Sequence, residues 1–144
     1  MSLSRRWLAH QGGAAAVEFS VVVMAMFTLL FGVTELGWYM WTANALQQTA
    51  IQAARCMGVL ASSCASGAAY SSTNTTNFVQ SVATTYGITV PTAGVVLSNS
   101  ASCGGASGFS SVTINYTFRT VVPNLITGLS SVAMSESACF PNQS

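Results

Sequence analysis

From Phe19 to Val33 the chain runs without a charged side chain, and as far as Trp41 the apolar stretch is broken only by Glu35 and a few small polar residues. A helix that crosses a bilayer needs roughly 20 mostly apolar residues, so this segment is long enough to span one. The competing reading, a buried helix in a soluble core, fits poorly, because so long a run is rare in soluble domains. Arg5 and Arg6 precede the run, and no basic residue follows until Arg55. The preference of Lys and Arg for the cytoplasmic flank then places the N-terminus in the cytoplasm and the remainder outside. Trp38, Tyr39 and Trp41 cluster where the span leaves the hydrocarbon, the depth that aromatic rings with one wet edge prefer. The expected division is a short head, 1–13, a membrane segment, 14–41, and an exported domain, 42–144.

Charge is scarce everywhere. Only 5% of the residues are charged, there is no Lys or Asp, and the net charge is +1. An ordinary soluble domain carries about 25% charge. Electrostatics therefore cannot drive binding to nucleic acid. Beyond Val33 the acidic residues are Glu35 and Glu136, with no His, Lys or Asp. No set of nucleophile, base and orienting group can be assembled from that inventory, so the chain reads as no enzyme and needs no cofactor. All four cysteines, Cys56, Cys64, Cys103 and Cys139, lie past the span. An even count on the exported side suggests two disulfides in an oxidising compartment. Metal binding is disfavoured, since no Cys-x-x-Cys pair exists and the one histidine, His10, lies across the membrane. Four cysteines allow three pairings, and the sequence does not choose among them. The expected set is Cys56–Cys64, closing a short turn at a helix end, and Cys103–Cys139, tying a loop to the final strand.

The helical pattern that begins at Ala14 continues to about Gly58 but changes character. Leu46, Ala50, Ala53, Met57 and Leu60 recur at spacings of three and four and make one apolar face. Gln47, Gln48, Gln52 and Arg55 fall largely elsewhere. Residues 61–76, rich in Ser, Ala, Gly, Thr and Asn, read as a loop. Asn77 with Gln80 resembles a capping box opening a short helix that Gly87 ends, with Phe78, Val82 and Tyr86 on one face. Past Gly87 the period becomes two at Ile88 and Val90, and Val95 to Leu97 form another short apolar run. Ser98 to Gly108 reads as a turn or loop. Val112, Ile114, Tyr116 and Phe118 then alternate with polar residues, the pattern of a half-buried antiparallel strand that Pro123 ends. A helical turn is expected at 125–129. Ser131 to Phe140 reads as a last strand, with Val132, Met134, Ala138 and Phe140 inward and Glu136 breaking the pattern. The expected fold is α+β: a long N-terminal membrane-spanning helix continues into an amphipathic helix packed on a small antiparallel sheet.

At the head of the long helix stand Gly13-Ala14-Ala15-Ala16-Val17-Glu18-Phe19. A basic head ends in Gly, an apolar helix starts at once, and one carboxylate sits five residues on, followed by an aromatic. This resembles the processing site of type IV pilin-like proteins. The resemblance implies that a prepilin peptidase cuts between Gly13 and Ala14 and leaves the helix on the mature protein. Glu18 lies one helical turn from Ala14 and would pair with the new ammonium, in its own chain or in a neighbour one step along a bundle. The bland alternative is an interfacial carboxylate that suits the dipole at a helix N-terminus. Glu35 sits nearer the outer interface, and Arg55 lies about 30 Å farther along a straight helix.

Further pieces narrow the likeness: Phe31-Gly32-Val33-Thr34-Glu35-Leu36-Gly37, then Asn44-Ala45-Leu46-Gln47-Gln48 and Ala53-Ala54-Arg55. In this order they resemble the TadE-like family, minor pseudopilins of the tight-adherence (Flp) pilus system, over residues 12–55. The aromatic group at 38–41 stands where many relatives are expected to carry a basic residue. The resemblance implies a type IV pilin-like fold and a minor pilin that supports surface attachment and biofilm formation. It implies as partners the peptidase, other pilins through helix 14–60, and an inner-membrane assembly platform, with Glu18 and Phe19 as assembly contacts. The protein would reside in the inner membrane, its C-terminal domain periplasmic, before joining the pilus at the cell surface. Two alternatives share this physics: a minor pseudopilin of a type II secretion machine, and an uncleaved single-pass anchor. A third, a secreted protein cut near Ala43-Asn44-Ala45, conflicts with the bulky aromatics just before that site.

Overall fold

The computed structural model describes residues 11–120 and 131–143. Arg5, Arg6, His10, Pro123 and the helical turn expected at 125–129 lie outside the described residues. The chain divides into two compact units, Met1–Trp38 and Tyr39–Ser144. A single helix, α1 (Gln11–Gly58), begins in the first and ends in the second.

In the second unit α1 supplies one wall of the core. Leu46, Ala50, Ala53 and Met57 are buried at spacings of four, three and four, as their periodicity predicts, and Ala45, Thr49 and Ala54 join them. Four alanines on one face leave little side chain between backbones, so the helix can approach the sheet closely, and Leu46 and Met57 fill the remaining depth. Thr49 is fully buried and its hydroxyl donates to the Ala45 carbonyl at 2.7 Å, so no polar atom is stranded. Leu60 departs from the expected face. The helix ends at Gly58, and Leu60 sits in the following turn with φ 50° and is exposed.

The opposite wall is a three-stranded antiparallel sheet in the order β3 (Val95–Cys103), β4 (Ala106–Arg119), β5 (Ser131–Pro141). Val112, Ile114 and Phe118 on β4 and Met134 on β5 face the core, while Tyr116 is half-buried on the same side. Alternation therefore reads correctly on both strands. Tyr39 sets its ring edge-on to Phe118, centroids 5.6 Å apart. The result is the expected α+β, pilin-like arrangement, an apolar helix packed on small antiparallel sheets.

Between Cys64 and Val95 the sequence reading needs correction. Residues 61–76 are not one loop. They hold a two-residue hairpin, β1 (Ala65–Ser66) with β2 (Ala69–Tyr70), and the start of α2 (Ser72–Thr85). Burial raises the pKa of the Tyr70 phenol above its ordinary value. The cap of α2 is Ser71, whose Oγ accepts from the Asn74 N–H at 3.3 Å, six residues before the expected Asn77 box. Gln80 instead donates to the Val90 carbonyl at 3.2 Å and to Thr92 Oγ1 at 3.1 Å. The buried face of α2 is Thr75, Val79 and Ala83, with Phe78 and Tyr86 packed at its margin. The helix does end at Gly87, whose φ of 76° suits a residue without Cβ. Ile88 and Val90 are buried but form no strand, and a 3₁₀ turn (Thr92–Gly94) follows.

Ser98 to Gly108 is likewise not a loop. β3 and β4 pair through it and meet at Gly104-Gly105, both at positive φ, which is what a two-residue hairpin turn asks of its centre. The strand period was invisible there because small polar residues occupy both faces. Gly94 lies so close to the Asn115 carbonyl oxygen that a Cβ would collide with backbone, and a Cβ on Gly58 would meet the Phe140 ring at 2.6 Å. Gly94→Ala and Gly58→Ala should each lower stability by about 1–3 kcal/mol, read as a fall in the thermal midpoint of the detergent-solubilised chain. Gly67→Ala meets no neighbour and should show only the smaller cost of its positive φ.

Candidate functional site

The candidate site is the first unit's helix. Apart from Val23, Gly32 and Glu35, every residue from Gly13 to Trp38 is exposed. Phe19 and Met24 are 70% and 73% exposed, values normal for solvent-facing lysines and costly for apolar groups in water. The helix from Gly13 onward is long and apolar enough to cross a membrane.

Its few polar groups are closed off in a way that suits lipid. Ser20 Oγ donates to the Val17 carbonyl, Thr28 Oγ1 to that of Met24, and Thr34 Oγ1 to that of Leu30, each at 2.8 Å. A hydroxyl folded back onto its own helix asks nothing of its surroundings, which is the condition a bilayer imposes. Phe27 and Phe31, one turn apart, stack at 6.2 Å and 29°. Between Gly13 and Thr34 one ionisable side chain is left, Glu18, and it is exposed. It stands four residues, one turn of about 6 Å, from Ala14.

The bond between Gly13 and Ala14 lies inside α1, within three residues of the helix start at Gln11. Gly13 is exposed and a Cβ there would meet nothing within 4 Å. Trp38 and Trp41 are 53% and 55% exposed, whereas Tyr39 is packed on Phe118 in the second unit.

The cysteines form two bridges, Cys56–Cys64 and Cys103–Cys139, with Cα separations of 5.9 and 6.5 Å. The first joins the last turn of α1 to the residue before β1, and the second joins the tip of β3 to β5. Among the described residues no three His, Cys, Asp or Glu side chains gather as a metal would need.

One polar cluster escaped sequence reasoning. Asn142 Nδ2 donates to the Asn99 carbonyl and Ser110 Oγ donates to Asn142 Oδ1, both at 2.7 Å. The Asn142 N–H reaches the Gly108 carbonyl at 2.9 Å, and the Gln143 N–H reaches that of Gly58 at 2.9 Å. The tail after β5 thus fastens β3, β4 and the last turn of α1. Its partners lie 32 and 43 residues away in sequence, so no local pattern announces it.

If the exposed apolar face is a membrane span, charge placed in it should be costly. The double substitution Val22→Arg, Leu30→Arg should cost about 2.5–3.5 kcal/mol per site near mid-span, and carbonate extraction should shift the chain from the pellet towards the supernatant.

No curated protein and no solved structure matches the chain. A family model does, and the match ends on the amphipathic part of α1: residues 13–55 fit the one described as TadE-like protein. That segment, which contains the whole exposed apolar helix and most of its buried continuation, is similar to the TadE-like family.

Proposed function

We propose that this chain is a minor pilin-like component of a tight-adherence pilus, and that it acts by packing and not by bond chemistry. The observation that carries the reading is Glu18, the one ionisable side chain between Gly13 and Thr34 on an exposed apolar helix inside the TadE-like match. A charge at such a place is retained against a cost that grows towards the bilayer centre. A positive partner removes that cost.

In this reading residues 1–13 are a cytoplasmic leader, 14–41 cross the inner membrane, and 42–144 form a periplasmic domain. A prepilin peptidase cuts between Gly13 and Ala14. The ammonium released on Ala14 meets a Glu18 carboxylate, its own or that of a neighbour. The helix from Ala14 to Gly58 then leaves lipid for a bundle of pilin helices supported by an inner-membrane platform, with Phe19 packing beside the charge pair. Trp38 and Trp41 hold the outer interface before assembly. The disulfides fit the oxidising side of the membrane, where they would form.

Mass spectrometry of the mature protein should show Ala14 as the first residue. An intact leader in pilus-producing cells sinks the reading. Glu18→Ala should leave membrane insertion intact, or slightly improve it, while reducing recruitment into sheared pilus fractions by tenfold or more, an effect of roughly 1.4 kcal/mol for each tenfold loss. Equal recruitment of the variant would show that the carboxylate is not an assembly contact.

A further inference from the structure

The second unit, Tyr39–Ser144, carries three charged side chains: Arg55, Arg119 and Glu136. Glu136 is oddly placed. It occupies an inward-facing position of β5, between Met134 and Ala138 on the side that meets α1, and pairs across the ladder with Ile114, which is fully buried. Apolar residues fill the other inward positions of β5, and Glu136 is itself half-buried. A carboxylate held against an apolar seam is costly unless a cation meets it.

That cation does not come from the same unit. The nearest stretch of α1 is marked by Gln47, whose Nε2 donates to the Ser137 carbonyl at 3.3 Å. Arg55 lies eight residues past Gln47 on the same helix, about 12 Å away at about 1.5 Å per residue. Arg119 sits at the far end of β4, where it pairs with Ser131, and it points to the exposed face of the sheet.

Arg55 stands on the opposite, outward face of α1. Trp41, Asn44, Gln48, Ile51 and Arg55 are all exposed and follow one another at alternating steps of three and four, and the exposed Val59 continues the row just past the helix end. This is the seam that one helix offers to another element. It is apolar at Trp41, Ile51 and Val59 and carries its one charge at Arg55.

We propose that this outward seam of α1 docks against the margin where α1 meets β5 in a second copy of this chain, beside the Gln47–Ser137 contact, with Arg55 of one copy paired to Glu136 of the next. The seam and that margin are different surfaces, so the contact is head-to-tail and propagates along an axis instead of closing a dimer. The copies are displaced along the helix by about 12 Å, the distance that separates Arg55 from the level of Glu136. In a unit with three charges the pair contributes register more than affinity, since a wrong step leaves Glu136 facing apolar or uncharged groups. The proposal rests on the assembly reading above and adds a self-contact and a register to it.

The test uses two differently tagged full-length copies, co-expressed, extracted in mild detergent and recovered through one tag. Arg55→Glu or Glu136→Arg alone should lower co-recovery of the second copy about fivefold or more. The exchange Arg55→Glu with Glu136→Arg should restore it to within about twofold. Glu136→Gln, which keeps the shape, should also lower it, and raised salt should weaken the wild-type contact. The proposal is overturned if the single variants co-recover normally, if the exchange stays as low as the singles, or if Arg119→Glu rescues Glu136→Arg instead. The mature N-terminus is read in the same samples. A chain that keeps its leader yet shows the charge exchange sinks the pilin reading and leaves the contact standing, whereas normal cleavage with no exchange does the reverse.

Discussion

A bilayer offers no water to an unpaired amide or hydroxyl, and the exposed apolar helix of this molecule meets that constraint. A helix is the one single-segment structure that satisfies its own backbone there. The first unit goes further, turning each of Ser20, Thr28 and Thr34 back on the carbonyl three or four residues before it. What remains is a largely apolar cylinder with one carboxylate near its start, Glu18, and another, Glu35, near its outer end. The low overall charge follows the same logic, since a chain with few ionic groups has few to shelter from an apolar environment.

The second unit solves a different problem with the same helix. The alanines at 45, 50, 53 and 54 let α1 sit close to the sheet, and the sheet answers with larger residues at 112, 114, 118 and 134. A domain of this size buries a modest core, so covalent and polar ties matter. Two disulfides and the Asn142 cluster supply them at the helix end, the hairpin tip and the tail.

Where an apolar period ran over several turns or a whole strand, the sequence was readable; the two-residue period at Ile88 and Val90 gave no strand. The long helix, the buried face from Leu46 to Met57, and the alternation on β4 and β5 all follow from spacing alone, because burial repeats with the geometry of the backbone. The bridges Cys56–Cys64 and Cys103–Cys139 are the pairs expected from the order of the elements, although the spacing permitted others. Reading failed where small polar residues dominate. Ser, Thr, Asn and Gly between 61 and 76 and between 98 and 108 look alike in a loop, at a cap or on a solvated strand. The cap of α2 was displaced by six residues for that reason, since Ser71 and Asn77 are both competent and tertiary contacts decide between them. The site was legible to the extent that it is a pattern along one helix. The contact of the Tyr39 ring with Phe118 joins residues 79 apart, and no local pattern announces it.

The bridge from Cys103 to Cys139 encloses the whole of β4 and the start and middle of β5 within one covalent ring. A protease that severs the backbone anywhere inside that ring releases no fragment. The nicked molecule keeps its mass on a non-reducing gel and separates into two pieces when thiol is added. Damage to this domain in an oxidising compartment would therefore go unnoticed by size alone, and the outer fold can survive a cut that would dismantle an unlinked sheet.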